Sequence, residues 1–318
     1  MTTSSTEIER PDLTVVVFLF TSRPHLVRCL EALVEQRTED RIDIVLPYDD
    51  TLADPSDLAA RFPSVRLLAQ PGRRTPPQLR AAAVMASNAP VIAFLEDHCV
   101  PGLDWCARVL DTHRQTYAAV GGSVDKGFPP GQTTDTALNW AIYLTDYSRY
   151  MPPIPAGPTH ALTDCNVSYK REELDAIREH WEGEFHENIV NGLLAERGKT
   201  LWLDPDMVVY EQRDLTIRSA LRDRYSFGRL FASTRVRGAP AGRRLAMAAA
   251  ALLMPPVLVA RVRRNLAVRG RYRDQFARCL PALLFVTSAW MFGEAVGYLT
   301  GAPPAALRGA ESRDGEAA

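Results

Sequence analysis

Residues 90–101 read PVIAFLEDHCVP, an apolar run that finishes on Glu96, Asp97 and His98 before Pro101 ends the segment. An apolar strand driven into a core cannot hold unpaired charge cheaply, so the three titratable residues are expected at the strand's tip, where they meet water, a metal or a ligand. The same design recurs upstream. LTVVVFLF (13–20) is a continuous apolar strand, and HLVRCLEALVEQ (25–36) puts Leu26, Cys29, Leu30 and Leu33 on one helical face. IDIVLPYDD (42–50) is a second strand ending in Asp49 and Asp50, VRLLAQ (65–70) a third, and PPQLRAAAVMASN (76–88) a helix before the fourth. Buried strands alternating with helices predict an α/β domain with a mostly parallel sheet, whose ligands bind at the carboxyl ends of the strands. Asp49, Asp50 and the acidic triplet all fall at such ends.

Composition sets the bounds. A chain of 318 residues with 46% hydrophobic and 24% charged residues has ample material for a core. Five cysteines, Cys29, Cys99, Cys106, Cys165 and Cys279, form no C-x-x-C pair, which argues against a disulfide framework or zinc ribbon and for a reducing compartment. The N-terminus is polar and acidic, without the basic-then-apolar pattern of a secretory signal.

The net charge of −1 hides an asymmetry. Arg213 to Arg278 holds 16 Arg, no Lys, 3 Asp and no Glu, a net of +13, so the rest of the chain carries −14. Around these arginines lie two apolar runs, Leu245 to Ala260 and Cys279 to Gly301. No aromatic β platform accompanies the arginines, so an anionic lipid surface is the better partner than nucleic acid. The first run has 16 residues and an internal Pro255-Pro256, about 24 Å as helix against a hydrocarbon core of about 30 Å. The second is long enough to cross but contains Pro281 and Glu294, and two spans would export the seven arginines of the 261–278 loop. Helices that dip into or lie on the cytoplasmic leaflet are expected, with packing against the α/β domain or a second copy of the chain as the competing arrangement. The predicted organisation is a disordered N-terminus over 1–11, the α/β domain over 12–235, a basic helical membrane-associated module over 236–301 and a disordered tail over 302–318.

The order of these pieces resembles the nucleotide-sugar half of glycosyltransferase family 2, whose fold is termed GT-A, in membrane-associated bacterial form. The likeness runs over roughly residues 12–235. It implies that Glu187, eleven residues before Gly198 in FHENIVNGLLAERG, is the catalytic base. TDCNVSYKREEL (163–174), with Asp164 and Asn166, is similar to the acceptor-side segment, and RDRYSFGRLFA (222–232), with Arg224 and Arg229, to an Arg-Tyr-x-x-Gly-Arg stretch of membrane-associated members. Where the family has Asp-x-Asp for a divalent metal, this chain has Glu96-Asp97-His98, and where a downstream His completes that site it has Glu211. Mn²⁺ or Mg²⁺ is therefore expected at Glu96, Asp97, His98 and Glu211. Asp49 and Asp50, with Glu96 and Asp97, are assigned to the donor, and Glu187 to the acceptor proton. Trp140, Tyr143, Tyr147 and Tyr150 recur at helical spacing; a packing stripe is the first reading, and Trp140 is also a candidate acceptor-side platform. The resemblance implies an inverting transfer from a nucleoside-diphosphate sugar to a membrane-held, lipid-linked or polysaccharide acceptor. Competing functions are a nucleotidyltransferase, although TSRPH (21–25) lacks the glycine-rich loop, a metal-dependent hydrolase, and a membrane-held nucleotide-sugar binder without catalysis.

Overall fold

The structure is a computed structural model and describes residues 10–18, 22–52, 55–127, 135–236 and 238–302. The segments expected to be disordered, 1–11 and 302–318, fall almost wholly outside these residues, as do the last two residues of the first predicted strand. In chain order the elements are β1 (Leu13–Phe18), α1 (Arg23–Val34), β2 (Ile42–Tyr48), α2 (Ser56–Arg61), β3 (Val65–Ala69), α3 (Pro76–Met85), β4 (Val91–Glu96), β5 (Cys99–Pro101), α4 (Trp105–His113), β6 (Ala119–Lys126) and α5 (Ala137–Tyr147). There follow β7 (Gly157–Thr159), β8 (Asn166–Lys170), α6 (Arg171–Asp175), α7 (Glu187–Glu196), β9 (Leu201–Glu211), α8 (Ile217–Arg235), α9 (Ala241–Ala251), α10 (Met254–Arg269) and α11 (Arg273–Thr300).

The chain forms two compact units. One comprises residues 1–125 and 152–211, the other 126–151 and 212–318. The division thus falls near residue 211 and gives α5 and α8 to the second unit, where the sequence suggested a single cut after 235.

The first unit is the expected α/β sheet. Its strand order is β3-β2-β1-β4-β8-β6-β9-β5, with β7 on β9. β1 pairs in parallel with β2 and β4, and β2 with β3, which brings the ends of β1, β2 and β4 to one edge. Every residue of β1 and β4 is buried, as continuous apolar runs require of strands covered on both faces. Beyond β4 the sheet turns antiparallel through β8, β6 and the β5–β9 pair. Helix α3 opens on a reciprocal cap: Gln78 N donates to Thr75 Oγ1 at 3.3 Å and Thr75 N to Gln78 Oε1 at 3.0 Å, with Pro76 and Pro77 in the first turn. All five cysteines are free and buried.

In the second unit α11 packs against α5, α8, α9 and α10. Its contact with α8 is close enough to need glycine: a Cβ on Gly293 would lie 2.1 Å from the Tyr225 carbonyl oxygen, and one on Gly228 2.5 Å from that of Trp290. The run 245–260 does not form one helix. It breaks at Leu252 and Leu253 into α9 and α10, bent by 50°, because Pro255 and Pro256 suit a first helical turn and not an interior. Helix α11, by contrast, accommodates Pro281 and is 28 residues long, about 42 Å. Leu252, Leu253, Val257, Phe285, Phe292 and Leu299 are each more than half exposed.

Candidate active site

Two groups of side chains meet the edge where β1, β2 and β4 end. The first is the triplet that closes β4. Glu96 is buried, and Asp97 and His98 are wholly so. The backbone turns sharply here because Asp97 N donates to the Phe18 carbonyl (3.2 Å), while Asp97 Oδ2 accepts from Ser22 N (3.0 Å) at the start of α1. His98 then stands between two carboxylates, Nε2 at 3.1 Å from Glu96 Oε2 and Nδ1 at 3.5 Å from Asp97 Oδ1. Glu211, also wholly buried, ends β9 directly opposite Cys99 of β5.

As a ligand set for Mn²⁺ or Mg²⁺ these four residues do not fit. His98 Nε2 stands 3.1 Å from Glu96 Oε2 and so takes a place a cation would use, and Asp97 Oδ2 is committed to the α1 backbone, while His98 Nδ1, 3.5 Å from Asp97 Oδ1, is not hydrogen-bonded to it. Among the described residues no three His, Cys, Asp or Glu side chains converge on a common point at metal distance. The predicted residue types stand near one another, but Glu96 and His98 pair with each other.

The second group centres on a residue the sequence reading passed over. Arg80 lies on the inner face of α3, buried, with its guanidinium carbon 4.1 Å from the centre of the Phe18 ring. Its Nη1 donates to Glu187 Oε2 at 3.0 Å and its Nη2 to Asp164 Oδ2 at 2.8 Å. Burial opposes the charge, but Asp164, Glu187 and Glu96 outweigh it and hold the guanidinium more firmly protonated than usual. A signal was available, since Arg80 is the only charged residue between Arg74 and Glu96.

Glu187 begins α7 and is placed there by its neighbour. Phe185 is buried against Phe94 (ring centres 4.8 Å apart) and Tyr169 (5.6 Å), and its N–H donates to the Pro77 carbonyl at 2.9 Å, pinning the approach to α7 beside α3. Burial first, and the charge of Asp164 second, push the Glu187 carboxyl above the ordinary glutamate value, while Arg80 pulls it down. A carboxylate so raised and still oriented is a stronger proton acceptor than a free glutamate. Glu184, by contrast, is exposed and pairs with His186 at 3.0 Å.

The remaining predicted residues are placed as follows. Asp49 is buried at the end of β2, where Oδ1 accepts from Thr51 N (2.9 Å) and Thr51 Oγ1 (2.6 Å) and Oδ2 from Arg74 N (2.6 Å). Burial opposes its charge, yet the Arg74 and Thr51 donors prevail and hold its carboxyl below the ordinary value. Asp50 is exposed. Asn166 is sealed in the sheet, its amide donating to the Ser123 and Met207 carbonyls and accepting from Trp105 Nε1, so it ties strands together and does not face an acceptor.

Trp140, Arg224 and Arg229 belong to the second unit. Trp140 is buried there against Tyr143 and Tyr272, with Nε1 donating to Asp135, so the helical spacing reports packing and no open sugar platform. Arg224 donates twice to Asp146 at 2.7 Å, and Arg229 Nε to the Ala302 carbonyl at 3.0 Å.

The sequence model of glycosyl transferase family 2 matches residues 14–178. Mouse polypeptide N-acetylgalactosaminyltransferase 16 is 24% identical over 112 residues, which are 33% of this chain and 20% of that protein, so the chain matches a fifth of the length of that curated relative. Among solved structures, mannosyltransferase PcManGT from Pyrobaculum calidifontis, in complex with GDP-Man and Mn²⁺, superposes with a TM-score of 0.49 and 17% identity over 92% of this chain and 75% of that one. TarS 1–349 of S. aureus, in complex with UDP-GlcNAc, gives 0.46 and 13% over 89% and 92%. With more than half of its length matched by the family's sequence model, the chain belongs to glycosyltransferase family 2.

Proposed function

We propose that the chain is an inverting glycosyltransferase that moves a sugar from a nucleoside-diphosphate donor to a hydroxyl of a membrane-held acceptor, with Glu187 as the base. The observation that carries this reading is Glu187 itself: a carboxylate at the sheet's ligand edge, oriented by Arg80 and raised in proton affinity by burial and Asp164. In a single displacement the Glu187 carboxylate takes the acceptor O–H proton as that oxygen attacks the anomeric carbon. The bond from that carbon to the donor diphosphate breaks, the electron pair leaves on the diphosphate, and the configuration inverts. Glu96 and Asp49 stand at the ends of β4 and β2, on either side of β1, and are assigned to the donor, Asp49 through the turn it holds at Thr51 and Arg74.

The membrane part of the reading rests on charge and exposure. The arginines from 213 to 278 and the exposed apolar residues of α9, α10 and α11 suit a surface of anionic headgroups over hydrocarbon. We place it on the cytoplasmic leaflet, where that charge is favoured.

Isothermal titration of the full chain with a panel of nucleoside-diphosphate sugars tests the donor class. Saturable one-to-one binding of at least one member is expected. Binding confined to nucleoside triphosphates, with pyrophosphate released on turnover, would move the chain to the nucleotidyltransferases.

A further inference from the structure

Building on the reading of Glu187 as the base, we infer that Asp164 and Glu187 share the single guanidinium of Arg80, so that Arg80 and Asp164 are positioning residues that together set the orientation of the base and its readiness to take a proton. The geometry is that of a divided fork. Arginine usually grips one carboxylate with two parallel hydrogen bonds; here Nη1 goes to Glu187 Oε2 at 3.0 Å and Nη2 to Asp164 Oδ2 at 2.8 Å. The guanidinium is not free to choose between them, because α3 buries it and the Phe18 ring lies against its face at 4.1 Å. Its Nε has no hydrogen-bond partner, so the two carboxylates are what hold it.

The charges then explain the poise. Arg80, Asp164 and Glu187, all ionised, sum to −1 in a site of low dielectric, and transfer of the acceptor proton to Glu187 brings the sum to zero. Asp164 thus promotes proton uptake by Glu187, and Arg80 restrains it until the acceptor arrives. Other charged or titratable groups facing Glu187 are His186 in its own turn, which pairs with Glu184, Tyr169 of β8, whose hydroxyl donates to Asn191 Oδ1 at 2.9 Å, and Glu96 of β4, which acts through Arg80. Of these, Glu96 is coupled to Arg80 and Tyr169 to both Arg80 and Asp164, so Arg80→Gln also removes the cation that offsets Glu96.

The test is a carboxyl titration of the full chain in which the glutamate carboxyls carry ¹³C, with the Glu187 signal assigned by its loss in Glu187→Gln. No substrate is needed. Asp164→Asn, at a side chain 31% exposed, should lower the Glu187 midpoint by about one pH unit through loss of a like charge, and Arg80→Gln should raise it by about as much or more. An unmoved midpoint in Asp164→Asn overturns the inference, whether or not Arg80→Gln folds, and so do shifts of the same sign in both. Because the titration reads the resting protein, it separates the two readings: a dead Glu187→Gln with an unmoved midpoint sinks the shared cation alone, and a moved midpoint with an active Glu187→Gln sinks the base alone.

Discussion

A carboxylate beneath a parallel sheet needs either a proton or a partner, and each acid at the strand ends of this chain has been given a partner of a different kind. Asp49 has backbone amides and a hydroxyl, Asp97 a backbone amide, Glu96 an imidazole, and Glu187 and Asp164 a guanidinium between them. This explains which residues could be recognised from sequence. Glu96, Asp97 and His98 were legible because three titratable residues at the end of a buried strand have few structural uses. Their mutual pairing was not legible, since whether an imidazole faces a metal or its neighbours depends on rotamers. Arg80 was readable as an isolated charge in an apolar helix but has no motif of its own. Trp140 shows the reverse case, because helical spacing of aromatics encodes a buried face before it encodes anything else.

The same contrast holds among the elements. β1 to β4, α1 and α3 were found from their apolar patterns, with ends within a few residues of those observed, and the short α2 was not. The antiparallel pairings of β8 with β4 and β6 were not, because strand direction depends on partners distant in sequence. In the second unit α5 and α8 are joined by a partly buried ion cluster invisible to any local pattern: Asp146 accepts from Arg213 at 2.9 Å and from both terminal nitrogens of Arg224 at 2.7 Å. Burial opposes the charge of Asp146, but Arg224 and Arg213 overcome it and hold its carboxyl down to about 2, from an ordinary 3.8. A depressed carboxylate contributes stability in full above the unfolded value and loses it as pH falls through the folded one. Urea midpoints should therefore drop between about pH 4 and pH 2, and Asp146→Asn should flatten that drop. At neutral pH the substitution should cost about 2 kcal/mol by removing the carboxylate that both guanidiniums share. A variant as stable as the parent at neutral pH would show the cluster to be dispensable.

At the scale of the whole molecule the chain joins an acidic sheet-bearing part to a segment of net +13 with exposed apolar helices. If the arginines hold that segment on an anionic leaflet, each adding about 1 kcal/mol near the surface, vesicle binding by the full chain should strengthen with anionic lipid and weaken with salt. Binding indifferent to both would mean that apolar insertion acts alone. The central claim, however, is chemical, and one comparison tests it most directly: release of nucleoside diphosphate from a bound donor, in the presence of acceptor membranes, by the parent chain and by Glu187→Gln, with Glu184→Gln alongside. Loss of the acceptor's base should slow Glu187→Gln by about a hundredfold or more while donor affinity stays near that of the parent, and Glu184→Gln should turn over normally. Turnover by Glu187→Gln close to the parent rate would contradict the account.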